Sequence, residues 1–209
     1  MVSRETPPLR WMTDRGLCVV AGAGSLDLYR LLAGMCLPGV MEVVPADGSL
    51  LVVLEPGAAV PEKLLELLAR GVPDGPPPSG AAPARLHRLP VRFDGEDLLE
   101  VAGRSGHTPE EVIGLLCSIE LRVGFLGFQP GFAYLWGLPA ELHLPRRASP
   151  RKRVPAGSLA LAGGYCGVYP SAGPGGWHVL GSTRACLFDP EARPPALLQP
   201  GDSVRLDAA

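Results

Sequence analysis

Residues 121–137 run Leu-Arg-Val-Gly-Phe-Leu-Gly-Phe-Gln-Pro-Gly-Phe-Ala-Tyr-Leu-Trp-Gly. The stretch opens as a strand, predicted over Leu121–Phe128 from its branched and aromatic residues. Pro130-Gly131 then forces a turn that leaves aromatic rings on both flanks. Downstream the pattern stays β, with short apolar runs at Leu159–Ala162, Gly167–Tyr169, Trp177–Gly181, Ala185–Phe188 and Val204–Leu206, divided by Gly and Pro. Such spacing predicts a closed or nearly closed barrel. Pro200-Gly201-Asp202 supplies the turn into its last strand.

Before this β region lie two predicted helices and a strand. Thr108-Pro109-Glu110-Glu111 is a capping box: Thr108 caps the first amides, Pro109 takes the first helical position, and Glu111 reaches back. The helix continues through Val112, Ile113, Leu115 and Leu116. A shorter helix is predicted from about Glu96 to Ala102, and a strand over Leu86–Phe93. Residues 72–83 are dominated by Pro, Gly, Ser and Ala, which predicts an extended, semi-stiff linker and a domain boundary. A first domain over 1–84 and a second over 85–209 follow.

The first domain is predicted as α+β. Leu17–Ala21 is a short strand, and Ser25 precedes a helix with Leu28, Leu31, Leu32 and Met35 on one face. Val40–Val44 and Leu50–Leu54 form a hairpin around Asp47-Gly48, and Pro61 opens a second helix ending at Gly71. Strand, helix, strand, strand, helix is a split βαβ, ferredoxin-like order lacking only its last strand.

Composition narrows the function classes. Apolar residues at 46% and charged residues at 19% exclude a disordered chain, and 27 glycines with 24 prolines predict many turns. A net charge of −2 argues against wholesale binding to nucleic acid or an anionic membrane. No apolar run reaches the roughly 20 residues of a membrane span, and Met1–Arg10 lacks the apolar core of a secretory signal. Five scattered cysteines with no CxxC pair add to the expectation of a cytoplasmic home.

No P-loop, GxSxG, HExxH or dinucleotide fingerprint is present, and the four histidines show no metal-ligand spacing, so neither catalytic residues nor a metal are assigned. Three segments remain as candidates. In Phe128, Gln129, Pro130, Gly131, Phe132 and Tyr134, glycine permits close approach and the rings supply apolar walls; a core-plugging loop explains them equally. The run Arg146-Arg147-Ala148-Ser149-Pro150-Arg151-Lys152-Arg153 either grips an anion, through Arg147, Arg151 and Arg153, or is a solvated basic loop. The glycine-rich turns around Tyr165-Cys166 and before Trp177 either offer amides to an anion or are plain hairpin turns, with Cys166 a structural thiol or a nucleophile.

Taken in order, these segments resemble one family, called the B component of 5-oxoprolinase, allophanate hydrolase subunit 1, or KipI, the inhibitor of a sporulation histidine kinase. Its GFxPGFxYL loop corresponds to Gly127–Leu135, its PRRxxPRxRVPAGS run to Pro145–Ser158, its AGxxxGxYP turn to Ala162–Pro170 and its PGGW turn to Pro174–Trp177. Asp14-Arg15, Pro38-Gly39-Val40, Glu42–Pro45 and Ser49–Val52 extend the likeness along the chain.

The resemblance implies a cyclophilin-like barrel after the α+β domain. It also implies a sister protein with a related barrel (the C component, or allophanate hydrolase subunit 2) and a third protein, the A component. The assembly would open 5-oxoproline to glutamate at the expense of ATP. ATP is a requirement of the complex and is not assigned to this chain. Alternative roles within the family are kinase inhibition and part of a urea-linked carboxyltransferase. Polar family positions are held here by Leu116, Leu121, Gly124, Tyr165-Cys166 and Ser182. A pocket losing hydrogen-bonding groups should bind a polar lactam less well, at about 1 kcal/mol per lost bond.

Overall fold

The computed structural model describes residues 9–70 and 84–209, in two compact units, Met1–Pro83 and Ala84–Ala209. The linker expected over 72–83 lies outside the described residues. The described elements are mainly β.

In the first unit, β1 (Leu9–Trp11), β2 (Gly16–Val20), α1 (Ser25–Ala33), β3 (Val40–Ala46), β4 (Ser49–Leu54) and α2 (Glu62–Arg70) follow one another. The sheet order is β1-β2-β4-β3, and every neighbouring pair is antiparallel. Strand β4 therefore lies between β2 and β3, which run parallel to each other. The hairpin at Asp47-Gly48 is tight: Ala46 pairs with Ser49, and Gly48 takes a φ of 63°, open to glycine at no steric cost. Leu28 and Leu32 of α1 and Leu64 and Leu68 of α2 are buried with Leu17, Val19, Leu50, Val52 and Leu54. The edge strand β1 is an addition to the sequence expectation. Its three residues are exposed, so no apolar alternation marked it.

The second unit contains β5 (Leu86–Val91), α3 (Leu98–Ser105), α4 (Pro109–Ser118), β6 (Leu121–Leu126), β7 (Ala133–Trp136), β8 (Arg151–Val154), β9 (Ser158–Ala162), β10 (Tyr165–Val168), β11 (Gly173–Gly175), β12 (His178–Ser182) and β13 (Ser203–Ala208). Seven strands form one sheet in the order β12-β9-β10-β7-β6-β13-β5, and β8 pairs with β11 in a separate ribbon. The two edges nearly meet. Arg92, just after β5, and Ser182 at the end of β12 exchange backbone hydrogen bonds of 2.9 and 2.8 Å, giving a nearly closed, barrel-like sheet. The capping box forms as expected, with Glu111 N–H donating to Thr108 Oγ1 at 3.2 Å and Thr108 N–H to Glu111 Oε2 at 2.8 Å.

Strand β9, Ser-Leu-Ala-Leu-Ala, is buried on both faces. Leu159 and Leu161 join the main core with Leu89, Val101, Val112, Leu116, Leu135 and Leu180. Ala160 and Ala162 join a second cluster with Phe132, Val154, Tyr169, Trp177 and Val179. Alternation along a strand separates the two sets onto opposite sheet faces. Small alanines on the second face leave room for rings.

Three expectations need correction. Ala185–Phe188 is not a strand; only an isolated bridge joins Phe188 to Ala196, and Pro190, Pro194 and Pro195 have no N–H with which to extend it. The strand from Leu121 ends at Leu126, because Phe128 adopts a φ of 66° that no strand accommodates. The basic run is not wholly loop, since Arg151–Val154 is β8.

Candidate functional site

The aromatic loop joins β6 to β7. Gln129-Pro130-Gly131-Phe132 is a turn closed by Phe132 N–H donating to Gln129 O at 2.9 Å; Pro130 suits its second position and Gly131, at φ 80°, its third. Ahead of it, Gln129 N–H donates to Gly127 O at 2.7 Å across the left-handed Phe128. That conformation lifts the Phe128 ring to 57% exposure while Phe132 is 1% exposed. A non-glycine residue there is strained, and such strain concentrates at binding sites.

Phe132 is the hub of a ring cluster. It meets Phe128, Tyr134, Tyr169 and Trp177 edge-on at centroid distances of 5.4, 5.2, 5.3 and 5.4 Å. Phe128, Phe132, Tyr134, Tyr169 and Trp177, together with Arg146, Gly175 and Gly176, line a cleft with about 330 Å³ of atom-free space. That space includes open solvent, and the enclosed part is smaller. The Pro-Gly loop and the basic run therefore meet at one cavity. Burial pushes the Tyr169 phenol up and Tyr134 adds to this, while Arg146 and Arg151 pull it down.

The remaining cations are divided. Asp97, 3% exposed, receives Arg147 Nη1 on Oδ1 at 2.6 Å, Arg151 Nη2 on Oδ1 and Nη1 on Oδ2, both at 2.8 Å, and Val179 N–H on Oδ2 at 2.7 Å. Burial alone would raise the Asp97 carboxyl. The bonds from Arg151 and Val179 and the charges of Arg151 and Arg147 outweigh it and hold the group below its usual range. Arg151, expected at the ligand, is thus engaged by Asp97 and also by Glu96 at 2.7 Å. Arg147 is likewise engaged, and Arg153 is exposed on β8, outside the cleft lining. Arg146 is the basic-run residue that reaches the cavity.

Asp97, Glu100 and His178 bring ligand-type atoms within 4.8 Å of one another. The set does not fit a metal: both Asp97 oxygens already take two donors, three of those four from arginines, and a cation would have to expel them.

Other expected residues fall elsewhere. Gln129 accepts from Ser171 Oγ at 3.1 Å and faces that turn. Gly131 packs closely against Leu187 and Phe188, and Pro130 is exposed. Tyr165 is half-buried against Phe125 and Tyr134. Cys166 is fully buried in the main core, and burial pushes its thiol up to about 12, which removes it as a nucleophile. The sequence expectation missed Arg146, Tyr169 and Asp97. Arg146 and Tyr169 stood inside the quoted motifs, whereas Asp97 carried no local signal.

Fold and site together define a two-unit, mainly β protein with an aromatic cleft and one cation at its lining. A family described as "Carboxyltransferase domain, subdomain C and D" matches residues 21–198, and the chain belongs to that family. It is 43% identical over 173 residues to the B component of 5-oxoprolinase from Escherichia coli O157:H7, covering 81% of this chain and 78% of that protein. The protein of the same name from Haemophilus influenzae is 47% identical over 120 residues, 56% of each chain. Among solved structures, TTHA0988 superposes with a TM-score of 0.78 at 39% identity over 93% of this chain, which spans only 40% of that one. Kluyveromyces lactis urea amidolyase, 16% identical, shares the fold over 100% of this chain and 15% of its own, with a TM-score of 0.65.

Proposed function

We propose that this chain is one component of an ATP-dependent 5-oxoprolinase that opens 5-oxoproline to glutamate together with partner proteins. Two relatives above 40% identity are named as the B component of 5-oxoprolinase, and neither name points to kinase inhibition. The observation that carries the role is the meeting of Phe128, Phe132, Tyr134, Trp177 and Arg146 at one cleft. A five-membered lactam lies flat against such rings, and its carboxylate seeks a guanidinium. The partners are the sister C component, with a related barrel, and the A component. ATP is used by the assembly, in the cytoplasm. The second unit is a cyclophilin-like barrel and the first a ferredoxin-like domain.

Reconstitution tests the proposal. The chain co-purified with its sister components should support 5-oxoproline-dependent ATP hydrolysis with glutamate as product. No glutamate from the complete assembly would end it. The family description favours a second role, as part of a carboxyltransferase. That role requires a biotin-carrying partner, and carboxyl transfer by the chain assembled with such a partner would show it.

A further inference from the structure

The basic run presents five cations in eight residues, yet only Arg146 lines the cleft. Its peptide neighbours explain why. Pro145 O lies 2.9 Å from His178 Nε2, a side chain with no exposure. Arg147 N–H donates to Gly176 O at 2.8 Å, and Gly176 is itself part of the lining. The Arg147 guanidinium turns to Asp97, and Arg151, beyond Pro150, turns to the same carboxylate. Asp97 also binds Val179 N–H, two residues past Trp177, another lining residue. The buried carboxylate thereby ties the residues after Arg146, and His178 ties the residue before it, to β12 beside Trp177. With Arg147 turned to Asp97, its neighbour Arg146 lines the cleft beside the rings.

We propose that Arg146 is the carboxylate-recognising residue of the cleft and that Asp97, acting through Arg147 and Arg151, is its positioning residue. The inference rests on the cleft being the 5-oxoproline site and adds what selects the ligand's charge. The ligand class is a small ring carrying one carboxylate. Its uncharged counterpart, 2-pyrrolidinone, keeps the ring contacts and loses the ion pair.

The test is calorimetric binding of 5-oxoproline and of 2-pyrrolidinone to the full chain and its variants. Wild type should prefer the acid. Arg146→Ala should weaken the acid about 10- to 100-fold, the range of a charge-assisted bond, and leave the neutral lactam unchanged. Asp97→Asn should weaken the acid by a similar factor, and the double variant should bind no worse than Arg146→Ala alone. Arg147→Gln, which leaves the Asp97–Arg151 pair intact, should give a smaller loss, restored by Arg147→Lys; it carries the test if Asp97→Asn does not fold.

Additive losses in the double variant, or equal losses for the neutral lactam, would mean a purely structural Asp97 and overturn the proposal. Undiminished acid binding by Arg146→Ala would overturn the Arg146 assignment while leaving the 5-oxoproline site intact. A wild type that binds neither ring would bring down the site assignment and this proposal together.

Discussion

Asp97 and Arg151 are joined fork to fork, each carboxylate oxygen taking one terminal guanidinium nitrogen at 2.8 Å. The pair connects the start of α3 to β8 across 54 residues. It converts a sequence that looks like a solvated basic loop into a fixed wall. Two of the five cations are consumed in building that wall.

Removing the acid should be costly. Asp97→Ala leaves Arg147, Arg151 and the buried Val179 N–H without their shared acceptor, and should destabilise the second unit by about 3–5 kcal/mol. Urea denaturation measures this directly. A loss below about 1 kcal/mol would mean that water replaces the carboxylate without difficulty.

The same pair sets an acid limit. The folded Asp97 value lies below its unfolded value, so its contribution is complete above the ordinary carboxylate range and is lost as pH falls through the lower folded value. Wild-type stability should therefore drop below about pH 4. The Asp97→Asn variant should lack that share of the drop. Parallel acid titrations of the two proteins would contradict the account.

Phe128 offers a test of stored strain. A residue with a side chain in the left-handed region costs about 1 kcal/mol more than glycine there. Phe128→Gly should therefore be more stable than Phe128→Ala by about 1 kcal/mol. Both variants should lose the ring that meets Phe132 and Tyr169 and so bind 5-oxoproline more weakly. Equal stability of the two variants would show that the backbone is not held in this conformation.

Cysteine chemistry should follow burial. With its thiol pushed up to about 12, Cys166 should resist alkylation at pH 8 at least 100-fold longer than exposed Cys36 and Cys186. Mass spectrometry of partially labelled protein reads the order. Early labelling of Cys166 in folded protein would place it outside the core.

What the sequence made legible was local. The Thr108–Glu111 box and the Asp47-Gly48 hairpin are set by residues within three positions of each other, and both form as expected. The parallel pairing of β5 with β13 joins segments 117 residues apart, and no local pattern announces it. Asp97 was hidden for the same reason: its partners lie 50, 54 and 82 residues downstream. Arg146 and Arg147 are indistinguishable by type, and only the fold decides that Arg147 turns to Asp97 while Arg146 lines the cleft. Cys166 stayed open between structural thiol and nucleophile because its place depends on the alternation of β10, which sends it to the core while its neighbour Tyr165 joins the rings.

Three tryptophans allow the central claim to be tested in a single titration. Trp177 lines the cleft, Trp136 packs over Gly124, and Trp11 belongs to the first unit. With indole nitrogens labelled and followed by NMR, 5-oxoproline should shift the Trp177 resonance in a saturable way and leave Trp11 unmoved. Saturable movement of Trp11 with Trp177 unchanged would place the ligand away from the cleft and contradict the account.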